Sequence, residues 1–239
     1  MAKPPSSLLP SVEHRLSAWA EVQYRLDNPP ERKIRPTITV SRSFGCEGFP
    51  LAERLKALAE EASGEPWNIY DRALIKKVAQ EEGISMRILK NLGDTSRALE
   101  ALGACVPTHV THDKAFEKIA KYIVQIALVG NAIVVGRGGA ILCAGMTNCF
   151  HFRLEASLGW RVQSMMRRHE ISQKEAEHLV ETGSKQRERF ISYSLGADIT
   201  ELRHYDALFN NEQHGVDDIA SAILAYVRSA FPDKLYFKH

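Results

Sequence analysis

The residues best suited to chemistry in this sequence are glycines and cations, not thiols or paired acids. Gly45 and Gly48 lie between an apolar, β-branched run at 38–40 and a helical repeat of Leu51, Ala52, Leu55 and Leu58. A strand, a glycine-bearing turn and a helix start therefore meet at 45–50. The first N–H groups of a helix lack intrahelical partners and carry partial positive charge, so such a turn can hold a phosphate. The two glycines let the backbone curl towards an anion, and Pro50 suits a first helical turn. No lysine follows to reach the phosphates, and no Ser or Thr is placed to bind magnesium, so the usual phosphate-loop pattern is not met. An ordinary strand-to-helix turn is the alternative.

Two further basic stretches suit anions. Arg137 stands among Gly136, Gly138 and Gly139 after the wholly apolar run 133–135. An arginine at the end of a buried strand is costly unless an anion or a carboxylate meets its fork of donors, so it reads as a ligand-binding residue or one half of an ion pair. After Gly183, Lys185, Arg187 and Arg189 alternate with polar residues. That run suits a mobile segment closing on phosphates, or a solvated helix face. Asp71 follows a short strand over 67–70, at the sheet end where open parallel sheets bind ligands, and it also suits a helix N-cap. His109 and His112 form an HxxH pair with no third ligand nearby, so capping or surface roles are expected and no metal site is assigned.

The elements that must position these residues alternate. Strands are expected near 37–41, 67–70, 132–136, 149–154 and 205–210. Helices are expected over 50–62, from 71 through 78, over 85–104 with an interruption near 93–94, and then over 113–129, 156–170, 173–182 and 216–231. Alternation of this kind predicts an α/β fold with a parallel sheet covered on both faces. Residues 1–35 look like an appendage. Val12, Leu16, Trp19, Val22 and Leu26 make an amphipathic helix over 11–28, capped at Ser11 and stopped by Pro29 and Pro30. Its apolar stripe fits packing on the parent domain or a homodimer contact.

With 239 residues the chain can bury a substantial core. Its 31 Lys and Arg against 29 Asp and Glu leave a net charge of +2, which gives no sign of general attraction to nucleic acid or membranes. Cys46, Cys105, Cys143 and Cys149 form no CxxC pair, as expected of free thiols in a reducing compartment. The most apolar segment, 122–135, is broken by Gln125, Gly130 and Asn131. A cytoplasmic protein is expected.

Six segments in order resemble the cytidylate kinase-like family of nucleoside monophosphate kinase relatives. ITVSRSFGCEG resembles the family's Ser-Arg-x-x-Gly-Ser-Gly-Gly turn, NIYDRALI its second-strand Tyr-Asp segment, and IVVGRGGAIL its Val-Gly-Arg segment. HFRLEASLGWRVQSMM resembles the strand and arginine-bearing helix before the lid, SKQRERFISY the lid, and HYDALFNNEQHGVDDIASAIL the last strand and helix. The resemblance covers about 37–227. It implies a P-loop kinase-like three-layer fold over 36–239 with a five-stranded parallel sheet, a nucleoside-monophosphate lobe at about 71–112 and a lid at about 171–204.

The implied chemistry is phosphoryl transfer from ATP with Mg2+ to a small nucleotide such as CMP or dCMP, in which the protein positions groups and neutralises charge. By resemblance, Ser41, Arg42, Gly45, Cys46, Glu47 and Gly48 surround the donor phosphates, Arg42 supplying the charge a phosphate-loop lysine would bring. Asp71, Gly136 and Arg137 face the acceptor. Arg137, Arg161, Lys185 and Arg187 stabilise charge in transit. Three places depart from the family pattern, one being Phe49 and Pro50, which add bulk and rigidity where smaller or polar residues are common. Gly45-Cys46-Glu47-Gly48 replaces Gly-Ser-Gly-Gly, setting a carboxylate where an anion would bind, and Gly139-Ala140 replaces an Ala-Asp pair. A non-catalytic, nucleotide-binding regulator on the same scaffold is therefore the alternative; a nucleic-acid-binding module is a more distant one.

Overall fold

The amino-acid alternation of the first strand already divides the molecule into two faces. In the computed structural model, which describes residues 34–71, 114–231, 233, 236 and 237, β1 (Thr37–Arg42) turns Ile38 and Val40 into one core and Thr37, Thr39 and Ser41 towards the other face. The expected N-terminal helix at 11–28, the helices from 71 to 104, the His109/His112 pair and the monophosphate lobe beyond Asp71 lie outside the described residues.

β1 leads through the turn at 43–47 into α1 (Gly48–Ser63), whose Leu51, Ala52, Leu55 and Ala59 recur at helical spacing and are fully covered. Gly64 ends it in the left-handed conformation and donates to Glu60 O at 2.8 Å. There follow β2 (Asn68–Tyr70), α2 (Lys114–Val129), β3 (Ala132–Val135), the one-turn α3 (Gly139–Leu142) and β4 (Cys149–Glu155). The chain continues with α4 (Leu158–His169), α5 (Gln173–Leu195), a 3-10 turn at Leu202–His204, β5 (Ala207–Asn210) and α6 (Val216–Ala230).

The five strands form one sheet in the order β2-β3-β1-β4-β5, and every pairing is parallel. β3 is buried along its whole length, as a central parallel strand must be. One core packs α1 and α6 against Ile38, Val40, Ile133, Val135, Phe152 and Leu154. The opposite core packs α2, α3 and the end of α5 around Ile123, Val134, Leu142, Ile191 and Leu195. A small third cluster, Val162, Met165, Ala176 and Val180, joins α4 to α5. The chain leaves β1 for one side of the sheet and later returns to the other, so the carboxyl end of β1 is the place where such sheets bind ligands. No described helix is long and apolar enough to cross a membrane.

One expectation is corrected. The helix starting at Gln173 does not end at Thr182, and 184–190 is not a separate segment: α5 runs unbroken to Leu195, closed by Gly196 at φ 61°. Its start carries a capping box, Ser172 Oγ accepting from the Glu175 N–H while the Glu175 carboxylate accepts from the Ser172 N–H at 3.0 Å. Gly183 in the helix interior costs about 1 kcal/mol relative to alanine, which made it read as a stop. Its reason for being there is a close contact described below.

The polar face of β1 is satisfied internally. Thr37 Oγ1 donates to Ala127 O at 3.1 Å, and Thr39 Oγ1 lies 2.8 Å from Nδ1 of buried His151 on β4. Burial lowers the pKa of His151, against the opposing pull of Asp206. The unfolded chain therefore takes up a proton on His151 first as pH falls. The stability tied to neutral His151 is present above about pH 6.5 and is lost below it. The urea midpoint should thus fall between pH 7.5 and 5.5, and His151→Asn should reduce that dependence; an equal dependence in wild type and variant would assign it to other groups.

Candidate active site

The last residue of β1 sets the geometry. Arg42 lies across Gly48 at the start of α1 and reaches Gly136 at the end of β3. A Cβ on Gly48 would sit 2.9 Å from Arg42 Cδ, and one on Gly136 would overlap Arg42 Nη1. Two glycines from two elements thus form a slot for one guanidinium. Burial pushes the Arg42 pKa down to about 10, with Asp71 opposing the shift and Arg137 adding to it, so Arg42 stays charged at neutral pH. A cation beside a helix N-terminus runs against the helix dipole, and an anion between the two would relieve both.

Three further arginines hold the turn from outside. Arg187 of α5 donates to Arg42 O at 3.1 Å, Arg161 of α4 donates to Phe44 O at 3.1 Å, and Arg168 of α4 donates to Gly45 O. Arg187 also stacks over the Phe44 ring, 4.6 Å from its centroid. Charge-assisted bonds to carbonyls satisfy both the half-buried cations and the turn. Gly45 adopts φ 103°, and a Cβ there would lie 2.7 Å from Arg161 Cβ. The Cys46 N–H donates to Ser43 O at 3.2 Å and the Glu47 N–H to Asn211 Oδ1 at 2.8 Å. Among the described residues no acceptor meets the N–H of Gly45 or of Gly48.

Gly136, Arg137 and Gly138 follow one another in the left-handed conformation, at φ 77°, 58° and 72°. Glycine adopts this freely, but for Arg137 it costs about 1–2 kcal/mol. Strain of this kind is retained where side-chain placement matters more than local comfort. The Arg137 guanidinium lies 5.1 Å from the centroid of the Phe190 ring on α5.

Between these parts opens a cleft of about 290 Å³, lined by the ends of β1 and β3, the 136–141 segment and the inner face of α5. Ser41, Arg42, Gly136, Arg137 and Arg187 face it, with Gln186, Phe190 and Tyr205 among the other walls. The described lining holds three arginines and no carboxylate. Such a cleft suits an anion bearing a flat or apolar group.

The other expected site residues stand elsewhere. Gly45, Cys46, Glu47 and Gly48 form the turn beside the cleft without lining it, and Arg161 lies behind that turn. The Glu47 carboxylate meets Asn211 Nδ2 at 3.4 Å and favours the charged form of Arg168. Lys185 projects from the exposed face of α5 and pairs with Glu181 at 2.6 Å. Positions two apart on a helix do not share a face, so Lys185 points away while Arg187 points in. Asp71 follows β2 and is close enough to Arg42 to favour its charge. Cys46 is buried and its pKa is pushed up to about 11 by burial, with Glu155 adding to the shift, so it is no thiolate nucleophile.

Sequence reasoning passed over Arg168, Arg153 and Glu155 as site residues. Arg153 on β4 is buried and binds Glu155 through Nε at 2.6 Å, while Glu155 Oε2 accepts from Ser43 Oγ at 2.5 Å. Strand alternation could have flagged Arg153, because it falls on the same inward face as His151.

The sequence model of the cytidylate kinase-like family matches residues 37–213 of this chain. The crystal structure of an uncharacterized protein from Eubacterium ventriosum ATCC 27560 is similar over 82% of this chain and 99% of its own, with a TM-score of 0.62 and 17% identity, a likeness of fold. The crystal structure of TT1252 from Thermus thermophilus covers 82% of this chain and 98% of its own at 15% identity, with a TM-score of 0.40. No curated protein matches the chain at a significant level.

The Phe44 ring fills the notch that Gly183 leaves in α5, where a Cβ would overlap ring carbons. Gly183→Ala would gain about 1 kcal/mol of helix propensity but incur about 1–3 kcal/mol of overpacking. A lower urea midpoint is expected, recovered when Phe44→Leu accompanies it. A more stable single variant would mean that the ring and α5 do not rest on one another.

Proposed function

This chain belongs to the cytidylate kinase-like family, and we propose that it transfers the terminal phosphoryl group of ATP to a nucleoside monophosphate of the CMP or dCMP kind. The observation that carries this reading is the convergence of Arg42, Arg137 and Arg187 on one cleft at the carboxyl ends of β1 and β3. An acceptor phosphate held by Arg137 and neighbouring Arg42 would have its charge met from two sides, with its base against the Phe190 and Tyr205 walls. The donor phosphates would approach the turn, where the Gly45 and Gly48 N–H groups await acceptors.

In this transfer an oxygen of the acceptor phosphate attacks the terminal phosphorus, the bond to the bridging oxygen breaks, and ADP leaves. No covalent protein intermediate is needed; positioning and electrostatic stabilisation carry the rate. Arg187 touches both the cleft and the carbonyl of Arg42, so it is placed to follow charge as it moves between donor and acceptor. Among the described residues no three of His, Cys, Asp and Glu gather as a metal cage. Mg2+, the ion the family resemblance implies, binds through substrate phosphates, waters and one or two protein oxygens. Asp71, whose charge acts on Arg42, would join that shell by the family resemblance. Bound there, the ion would neutralise charge on the donor phosphates.

The clamp on the turn favours a second reading, nucleotide binding without transfer. Arg161, Arg168 and Arg187 already bind backbone carbonyls, and a ligand that needs them must compete for them. Calorimetric titration with ATP–Mg2+, followed by a coupled assay against CMP, dCMP, UMP and AMP, separates the two. Binding with turnover is expected; binding without turnover on any acceptor supports the regulator.

Arg137→Ala should lower kcat/KM by roughly 100-fold, the scale of losing one preorganised charge contact in the transition state. Arg137→Gly should lose as much activity while being at least as stable as Arg137→Ala, because glycine relieves the left-handed backbone. Unchanged turnover in folded variants would remove Arg137 from the site.

A further inference from the structure

Behind the cleft, one buried cation joins parts of the chain that the transfer chemistry treats separately. Arg153 is 4% exposed. Its Nε donates to Glu155 Oε1 at 2.6 Å, and its Nη2 pairs with the same oxygen. Its Nη1 donates to Ile199 O at 3.0 Å and lies 3.4 Å from both Ser41 Oγ and Tyr205 Oη. The guanidinium also sits 5.6 Å from the centroid of the Tyr205 ring. Tyr205 Oη donates to Ile199 O at 2.8 Å, and Glu155 Oε2 accepts from Ser43 Oγ.

All three nitrogens are therefore engaged, and they reach the end of β1, the first residue of the phosphate turn through Glu155, and the 196–205 segment that returns α5 to the sheet. A buried guanidinium tolerates no lost partner cheaply. Its rigid fork cannot follow one segment without leaving another. Because 196–205 connects α5 to the sheet, any displacement of α5 would pull on Ile199 and Tyr205, and the same side chain would hand that pull to Glu155 and Ser43.

We propose that Arg153 is a positioning residue that couples the segment behind α5 to the phosphate turn, so that the two order and loosen together. The coupling itself does not depend on the kinase reading; only its kinetic consequence rests on that reading.

Amide hydrogen exchange on the full chain without nucleotide tests the coupling directly. Tyr205→Phe removes one hydroxyl from the network and keeps the ring. It should speed exchange roughly fivefold, the weight of one hydrogen bond, both in 196–205 and in 43–47, while amides of α2 keep their rates. Arg153→Lys keeps the charge beside Glu155 but loses the fork, and should speed both segments by roughly tenfold or more. Faster exchange in 196–205 with 43–47 unchanged would overturn the coupling. Should Arg153→Lys fail to fold, Tyr205→Phe still decides the matter.

If the wild type transfers phosphoryl groups, Arg153→Lys should also lower kcat/KM for ATP roughly tenfold although Arg153 does not itself line the cleft, because the turn it holds is where the donor phosphates approach; unchanged kinetics would contradict a positioning role. If the wild type shows no transfer, the function proposed above fails while the exchange result stands or falls by itself.

Discussion

Three backbone carbonyls turned outward, those of Arg42, Phe44 and Gly45, are held by arginines of α4 and α5, and the shape of the site depends on this. A carbonyl that points towards one side of a turn leaves the next N–H facing another, so the cations outside help determine which amides remain for a ligand. The same bonds dock α4 and α5 on the end of the sheet, where Phe44 seats in the Gly183 notch and extends the small α4–α5 cluster. The shape of the turn and the placement of α4 and α5 are thus one structural variable.

Concentrating arginines carries an electrostatic cost that the fold offsets by local means. Arg42 is desolvated enough to fall to about 10, yet the opposing carboxylate of Asp71 and the open glycine surfaces of Gly48 and Gly136 keep it charged and in place. Arg153 is buried with all its nitrogens engaged, and Arg187 divides its contacts between a carbonyl and an aromatic face. The buried Cys46 thiol, pushed up to about 11, contributes no nucleophile. What remains is a site built from fixed positive charge and backbone donors, the equipment that phosphoryl transfer asks of a protein.

Much of the fold was legible because its signals are local. The β-branched run at 38–40 and the unbroken apolar stretch at 133–135 announce strands, and the glycines after them announce turns, since only short-range periodicity and backbone freedom are needed to read them. Arg137 was legible for the same reason: an arginine flanked by glycines at a strand end is anomalous in sequence. Gly183 misled, because a helix-interior glycine reads as a stop until the Phe44 ring from 139 residues earlier is seen to occupy its missing side chain. Arg153 was passed over because a single cation in a strand acquires meaning only from Glu155, Ile199 and Tyr205 around it.

By itself, the sequence determined that alternating strands and helices would build a parallel sheet and that glycine turns would stand at the ends of β1 and β3. Each of these follows from side-chain period and backbone sterics within a few residues. Tertiary structure alone decided which cations converge: Arg187 inward and Lys185 outward, Arg161 and Arg168 onto carbonyls, Arg42 into a slot made by glycines of two elements. Charge acts through space, and the distances that set one arginine on the wall of the cleft and make another a brace for the backbone arise only when distant segments are packed together.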